Sequence, residues 1–151
     1  MDGVRRAQEM NLAGDRGGAR ALLEGLWDSA EDALHRCTVA HYLADLQDSV
    51  AAELRWDELA LEAFPDLTDE RAREIDDTWR ARAFLPSLHL NLADVHRRSG
   101  NVGAARTHLA EAVAALDALP EDDYGAMIRD AVEKVRVAVD SGSTAPLVPA
   151  G

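Results

Sequence analysis

The sequence predicts an all-α fold of stacked antiparallel helical hairpins, and three observations predict it. A spacing recurs: Ala7, Ala19, Leu23 and Leu26 lie twelve, four and three residues apart, and the intervals return at Ala40, Ala52, Trp56 and Leu59 and at Ala93, Ala105, Leu109 and Ala112. Small residues where two helices cross, followed by larger apolar residues one and two turns later, describe a hairpin that buries its apolar face by stacking on its own copies. The composition agrees, with 47% apolar residues rich in Ala and Leu but only 5% aromatic, which favours packed helices over a β-sandwich. Gly14-Asp15 and Gly100-Asn101 then stand between the two helices of the first and third copies. There Gly supplies the left-handed residue that ends one helix, and Asp or Asn caps the next.

At 151 residues the chain is long enough for one domain, expected over residues 1–140. The first hairpin covers about 2–28, with helices over about 2–12 and 16–28. The second covers about 30–64. Ser29 is expected to cap its first helix (about 30–46) with Asp32 answering three residues later, and Pro65 stops its second (about 50–63). The copies shift by 33 residues from Ala7 to Ala40 and by 53 from Ala40 to Ala93, so about 20 residues are inserted between the second and third. That insert reads as a helix over about 68–85, capped at Thr68 and favoured by Asp69 and Glu70 at its positive end. Ala72, Ile75 and Trp79 would share one face, and a kink or a meeting of two helices is expected near Phe84 to Pro86. The third hairpin covers about 86–119. A closing helix over about 122–140 carries Tyr124, Ile128, Val132, Val135 and Val139 along one side, and the composition of 141–151 predicts a disordered tail.

The charge bounds the partners. A formal net charge of −12 repels nucleic acid and anionic membranes and mildly favours a basic protein or peptide, although acidity that serves solubility alone is the blander account. No window approaches the roughly 20 apolar residues of a membrane span. Residues 1–6 precede no apolar signal core, and Cys37, the one cysteine, cannot form an intramolecular disulfide, so a reducing cytoplasm is expected.

At Leu92-Ala93, His96, Gly100-Asn101, Ala105, Leu109 and Ala112 the third hairpin resembles the tetratricopeptide repeat, a unit of about 34 residues. His96 replaces the usual aromatic, Asn101 stands for Asp, and the closing proline comes late, at Pro120. The first hairpin matches at Ala7, Gly14-Asp15, Ala19, Leu23 and Leu26. The second has Gln47-Asp48 in place of Gly-Asp. The Ala- and Arg-rich chain is also similar to small stand-alone repeat proteins of high-GC bacteria, a likeness that carries no function with it. The resemblance implies a right-handed solenoid whose first helices line a concave groove. It places Leu34, Cys37, Thr38, His41 and Asp45 in that groove, with Ser87, Leu90, Asn91, Asp94, Arg97 and Arg98 from the third hairpin. His41 and Asp45 stand where a carboxylate clamp would need basic residues, so a mixed-charge groove for a peptide segment is expected.

Other chemistry finds little support in the sequence. His89 and His96 lie two helical turns apart, roughly 10 Å along the axis, too far to share one metal. His35 and His41 fall on different faces, and no zinc-spaced cluster, calcium loop or phosphate loop is present, so no metal or cofactor is expected. Cys37 and His41 share a helical face but lack oxyanion donors, so Cys37 reads as a small buried hydrophobe. The acidic groups Asp76-Asp77, Glu121-Asp122-Asp123 and Glu53/Asp57 read as solvated ends. Trp27 and Trp56 should anchor contacts between hairpins, and Trp79 in the insert should either cap the groove or dock on the second hairpin, docking being the favoured reading. The function expected is therefore a non-catalytic interaction scaffold. The alternatives are self-assembly as a homo-oligomer, through the insert or the last helix, and a small-molecule sensor or small enzyme, which would need a closed apolar pocket.

Overall fold

A computed structural model describes residues 1–76 and 78–147. The described residues form eight α-helices and no strand. These are α1 (Asp2–Leu12), α2 (Arg16–Ser29), α3 (Ala33–Asp45), α4 (Val50–Ala63), α5 (Asp69–Ala72), α6 (Leu85–Arg98), α7 (Val102–Ala114) and α8 (Asp123–Asp140). The chain divides into two compact halves, Met1–Leu67 and Thr68–Gly151.

In the first half α1 pairs with α2, α3 pairs with α4, and α2 packs on α3. Asp15, Asp32 and Ser49 cap α2, α3 and α4, each accepting from the backbone N–H three residues on. The Ser29 cap expected for α3 is therefore corrected. Ser29 ends α2 instead, because its hydroxyl donates back to the carbonyls of Gly25 and Leu26. Ala7, Ala19 and Ala40 are fully buried, as a small residue at a helix crossing must be. Val4, Leu23, Val39, Leu43 and Leu46 fill the core around them. Trp27 and Trp56 meet edge to face at 5.2 Å between α2 and α4, and the Arg36 guanidinium lies 4.0 Å over Trp27.

The missing glycine at the end of α3 has a physical replacement. Gln47 folds back so that its amide donates to the Leu43 carbonyl at 2.8 Å, and Arg16 donates to the carbonyls of Asp45 and Gln47. Side chains thus satisfy helix-end acceptors that a left-handed glycine turn satisfies elsewhere.

In the second half α6 pairs with α7, and α8 packs against both. Ala93, Ala105 and Ala112 sit at the crossing, and Ile128, Val132, Val135 and Val139 of α8 close the core over Leu90, Leu109 and Leu119. The insert is not the helix expected over 68–85. Thr68 does cap α5, but that helix lasts four residues, and a 3-10 turn over Ala81–Phe84 leads into α6. Two side chains compete with helix here. The Asp76 carboxylate takes both the N–H and the hydroxyl of Thr78, and Asp69 takes the N–H of Ala81 at 2.8 Å. Ile75 is exposed as a result. Within the second half Trp79 packs on Phe84 at 5.2 Å and on Tyr124 of α8 at 5.3 Å. Pro86 falls in the first turn of α6, where its missing N–H costs no hydrogen bond.

Candidate functional site

Asp94, Arg97 and Arg98 follow one another at helical spacings of three and four on α6, so their side chains converge. Asp94 Oδ1 accepts from Arg97 Nη2 at 2.7 Å and from Arg97 Nε at 3.2 Å, while its Oδ2 accepts from Arg98 Nε at 2.9 Å. Arg97 is only 2% exposed, and a buried guanidinium is tolerated only where its donors find acceptors. The remaining acceptors come from beyond α8. That helix ends at Gly142 (φ +73), whose N–H bonds to Val139 O while the Ser143 N–H bonds to Ala138 O, the paired bonds of a Schellman cap. The turn carries the carbonyls of Ser143 and Ala145 to Arg97 Nη1, each at 2.8 Å. Residues 141–147, within the tail that composition marks as disordered, thus hold a defined contact with α6, and 148–151 lie outside the described residues.

The groove residues expected from the third hairpin are therefore placed differently from one another. Leu90 is core under α8, Ser87 donates to the Phe84 carbonyl, and Asn91 and Arg98 are partly buried. Arg97 faces a segment of its own chain. In the first half Leu34, Cys37 and Thr38 are buried in the core, because α3 is covered on more than one side, and only Asp45 is well exposed. His41 is partly buried against Tyr42, with ring centroids 5.4 Å apart, and desolvation pushes its pKa down to about 4. Burial pushes the Cys37 thiol up to about 12, so it carries no thiolate at neutral pH.

A histidine stack is the second cluster. His108 of α7 lies between His89 and His96 of α6, with ring centroids 5.3 and 5.4 Å away. The Nδ1 atoms of His89 and His108 approach to 3.0 Å, so at least one of these rings must be neutral to accept. Partial burial lowers the pKa of both, mutual repulsion lowers that of His108 further, and Glu111 opposes the shift in each. Sequence spacing paired His89 with His96 and missed His108. The hairpin crossing carried the signal, since His89 lies four residues before Ala93 and His108 three after Ala105.

Among the described residues no group of three or more His, Cys, Asp or Glu is arranged to hold a metal ion, and no helix is long and apolar enough to cross a membrane. Asp122 is exposed and caps α8, with Glu121 and Asp123 solvated beside it. Asp57 departs from the solvated reading, being 3% exposed within α4. Asp76 is exposed, and Asp77 lies outside the described residues. Compared with protein families, with curated proteins and with solved structures, the chain gives no match.

Proposed function

We propose that this chain is a non-catalytic scaffold of tetratricopeptide-like hairpins that recognises a segment of another protein. The observation that carries the reading is the Asp94–Arg97 pair on α6, a buried guanidinium oriented by a carboxylate with two contacts to peptide carbonyls. Main-chain acceptors of this kind are what a protein-binding surface meets in any partner. The net charge of −12 favours a basic partner. Arg98, partly exposed beside Asp94, and Asn91 one turn earlier supply polar contacts at the rim.

Affinity capture with the full chain and with an Asn91→Ala/Arg98→Glu variant tests the reading. Circular dichroism first establishes equal helicity. A protein retained by the wild type and lost from the variant is the expected result; an identical set captured by both, or none by either, removes it. A second reading, self-assembly through α8, rests on Met127 and Val137, which are 57% and 53% exposed on that helix. Concentration-dependent sedimentation that disappears in a Met127→Glu variant would favour it.

A further inference from the structure

The contact between Arg97 and the segment after α8 has a shape that restricts what can replace it. Alternate carbonyls of an extended strand point the same way about 6.8 Å apart. Two oxygens that each lie 2.8 Å from the same Nη1 cannot be separated by more than twice that distance. Residues 143–145 are therefore curved around the guanidinium rather than extended. The Ser143 hydroxyl supports the curve by accepting from the Ala145 N–H at 3.3 Å. Pro146 follows, and it biases Ala145 away from helical backbone.

Both hydrogen bonds that Arg97 donates to this segment go to main-chain carbonyls. Thr144, Ala145 and Pro146 are exposed, and Leu147 is 40% exposed. Asp94 holds the guanidinium from the opposite side through Nε and Nη2, which leaves Nη1 as the group presented to the peptide. A site of this kind reads a backbone curve and the small residues that permit it.

We propose that Asp94 and Arg97 form a reader of curved, uncharged peptide segments rich in Ser, Thr, Ala and Pro, and that residues 143–147 are its tethered competitor. The proposal rests on the peptide-recognition reading above and adds the class of ligand and its control. In the resting chain the reader is occupied. A short tether holds its ligand at an effective concentration of about 1 mM or more, so a partner turn must exceed that competition or bind after the tail has been released.

Gly142 gives a way to release the tail in the full chain while Arg97 stays intact. Its φ of +73 is closed to proline and strained for valine. G142P removes both the turn and its N–H, whereas G142V keeps the N–H and adds backbone strain alone. The probe is a fluorescein-labelled peptide with the sequence of residues 143–147 and blocked ends, read by fluorescence anisotropy. The wild type, G142P, G142V and each release variant combined with R97A are compared at matched helicity. At least tenfold tighter binding by both release variants than by the wild type, lost again with R97A, is the expected result. Equal binding by wild type and release variants removes the tether, binding that survives R97A removes the reader, and no binding by any chain removes both. Each of those failures leaves partner capture through Asn91 and Arg98 standing, and failure of that capture leaves the peptide result readable, so the two ideas fall separately.

Discussion

Replacing His41 with phenylalanine should flatten the acid sensitivity of the first half. Burial pushes the His41 pKa from 6.5 down to about 4, so the unfolded chain takes up a proton first as pH falls. The sign follows from that order. Stability is undiminished above about pH 6.5 and is lost progressively down to about pH 4, because the folded state must either exclude the proton or bury the charge. Each pKa unit corresponds to about 1.4 kcal/mol. The ring keeps some contact with water, so we take about 2–3 kcal/mol as the loss that His41 causes across this window. Urea unfolding at several values between about pH 7.5 and pH 4 measures it. Tryptophan emission in a Trp79→Phe background reports on Trp27 and Trp56, both in the first half. Carboxylates and other histidines titrate in both proteins and cancel in the difference. The wild type should lose about 2–3 kcal/mol more than His41→Phe on acidification. A difference between the two proteins that does not change with pH would refute the assignment, whatever the variant does to stability at neutral pH.

Three further outcomes follow from single contacts. The Thr38 hydroxyl is buried without a hydrogen-bond partner, so Thr38→Val should raise the denaturation midpoint by the equivalent of about 1 kcal/mol. Gly125→Ala should lower thermal stability by about 2–3 kcal/mol, since a Cβ there would stand 1.9 Å from the Pro120 carbonyl oxygen, a backbone atom with little room to retreat. In the histidine stack, NMR titration should find the midpoints of His89 and His108 below the ordinary value of 6.5. Glu111→Gln should move both lower still, because that carboxylate favours the charged form of each ring. An upward movement would contradict the proximity of Glu111 to the pair.

The helices were legible where packing and propensity agree. Periodic small residues located the crossings at Ala7/Ala19 and Ala93/Ala105, and the α8 stripe of Ile128, Val132, Val135 and Val139 is buried as its spacing requires. Legibility failed where a polar side chain could satisfy either helix or turn. Ser29 reads as a cap from its position but donates backward, and Asp76 withdraws Thr78 from a helix that the spacing of Ala72, Ile75 and Trp79 would support. The candidate site was legible as a cluster of residue types on α6, and its contact with the segment after α8 was not. Spacing places Arg97 and Asp94 together, but it says nothing of Ser143, forty-six residues later, whose carbonyl is a backbone group with no sequence signature. The resemblance implies a groove position for Cys37 and Thr38 from their place on a first helix, whereas the packing around α3 puts them in the core.

Three glycines explain why the segment after α8 is free to meet Arg97. Gly14, Gly100 and Gly142 all have positive φ, and each ends its helix with the same pair of backbone bonds. Seven residues before them stand Ala7, Ala93 and Val135, all buried. Immediately after them come Asp15, Asn101 and Ser143, each a residue type that caps helices. α8 thus ends in the same local pattern as α1 and α6. Behind Asp15 and Asn101 the chain enters a second helix, whose carbonyls are committed to N–H groups four residues on. Behind Ser143 it does not, since Pro146 disfavours helical backbone at Ala145 and has no N–H to return to Gly142. The carbonyls of Ser143 and Ala145 therefore remain unspent within their own segment. A guanidinium can be buried beneath them because they are, and a regular helix at the same place would leave Arg97 Nη1 without these acceptors.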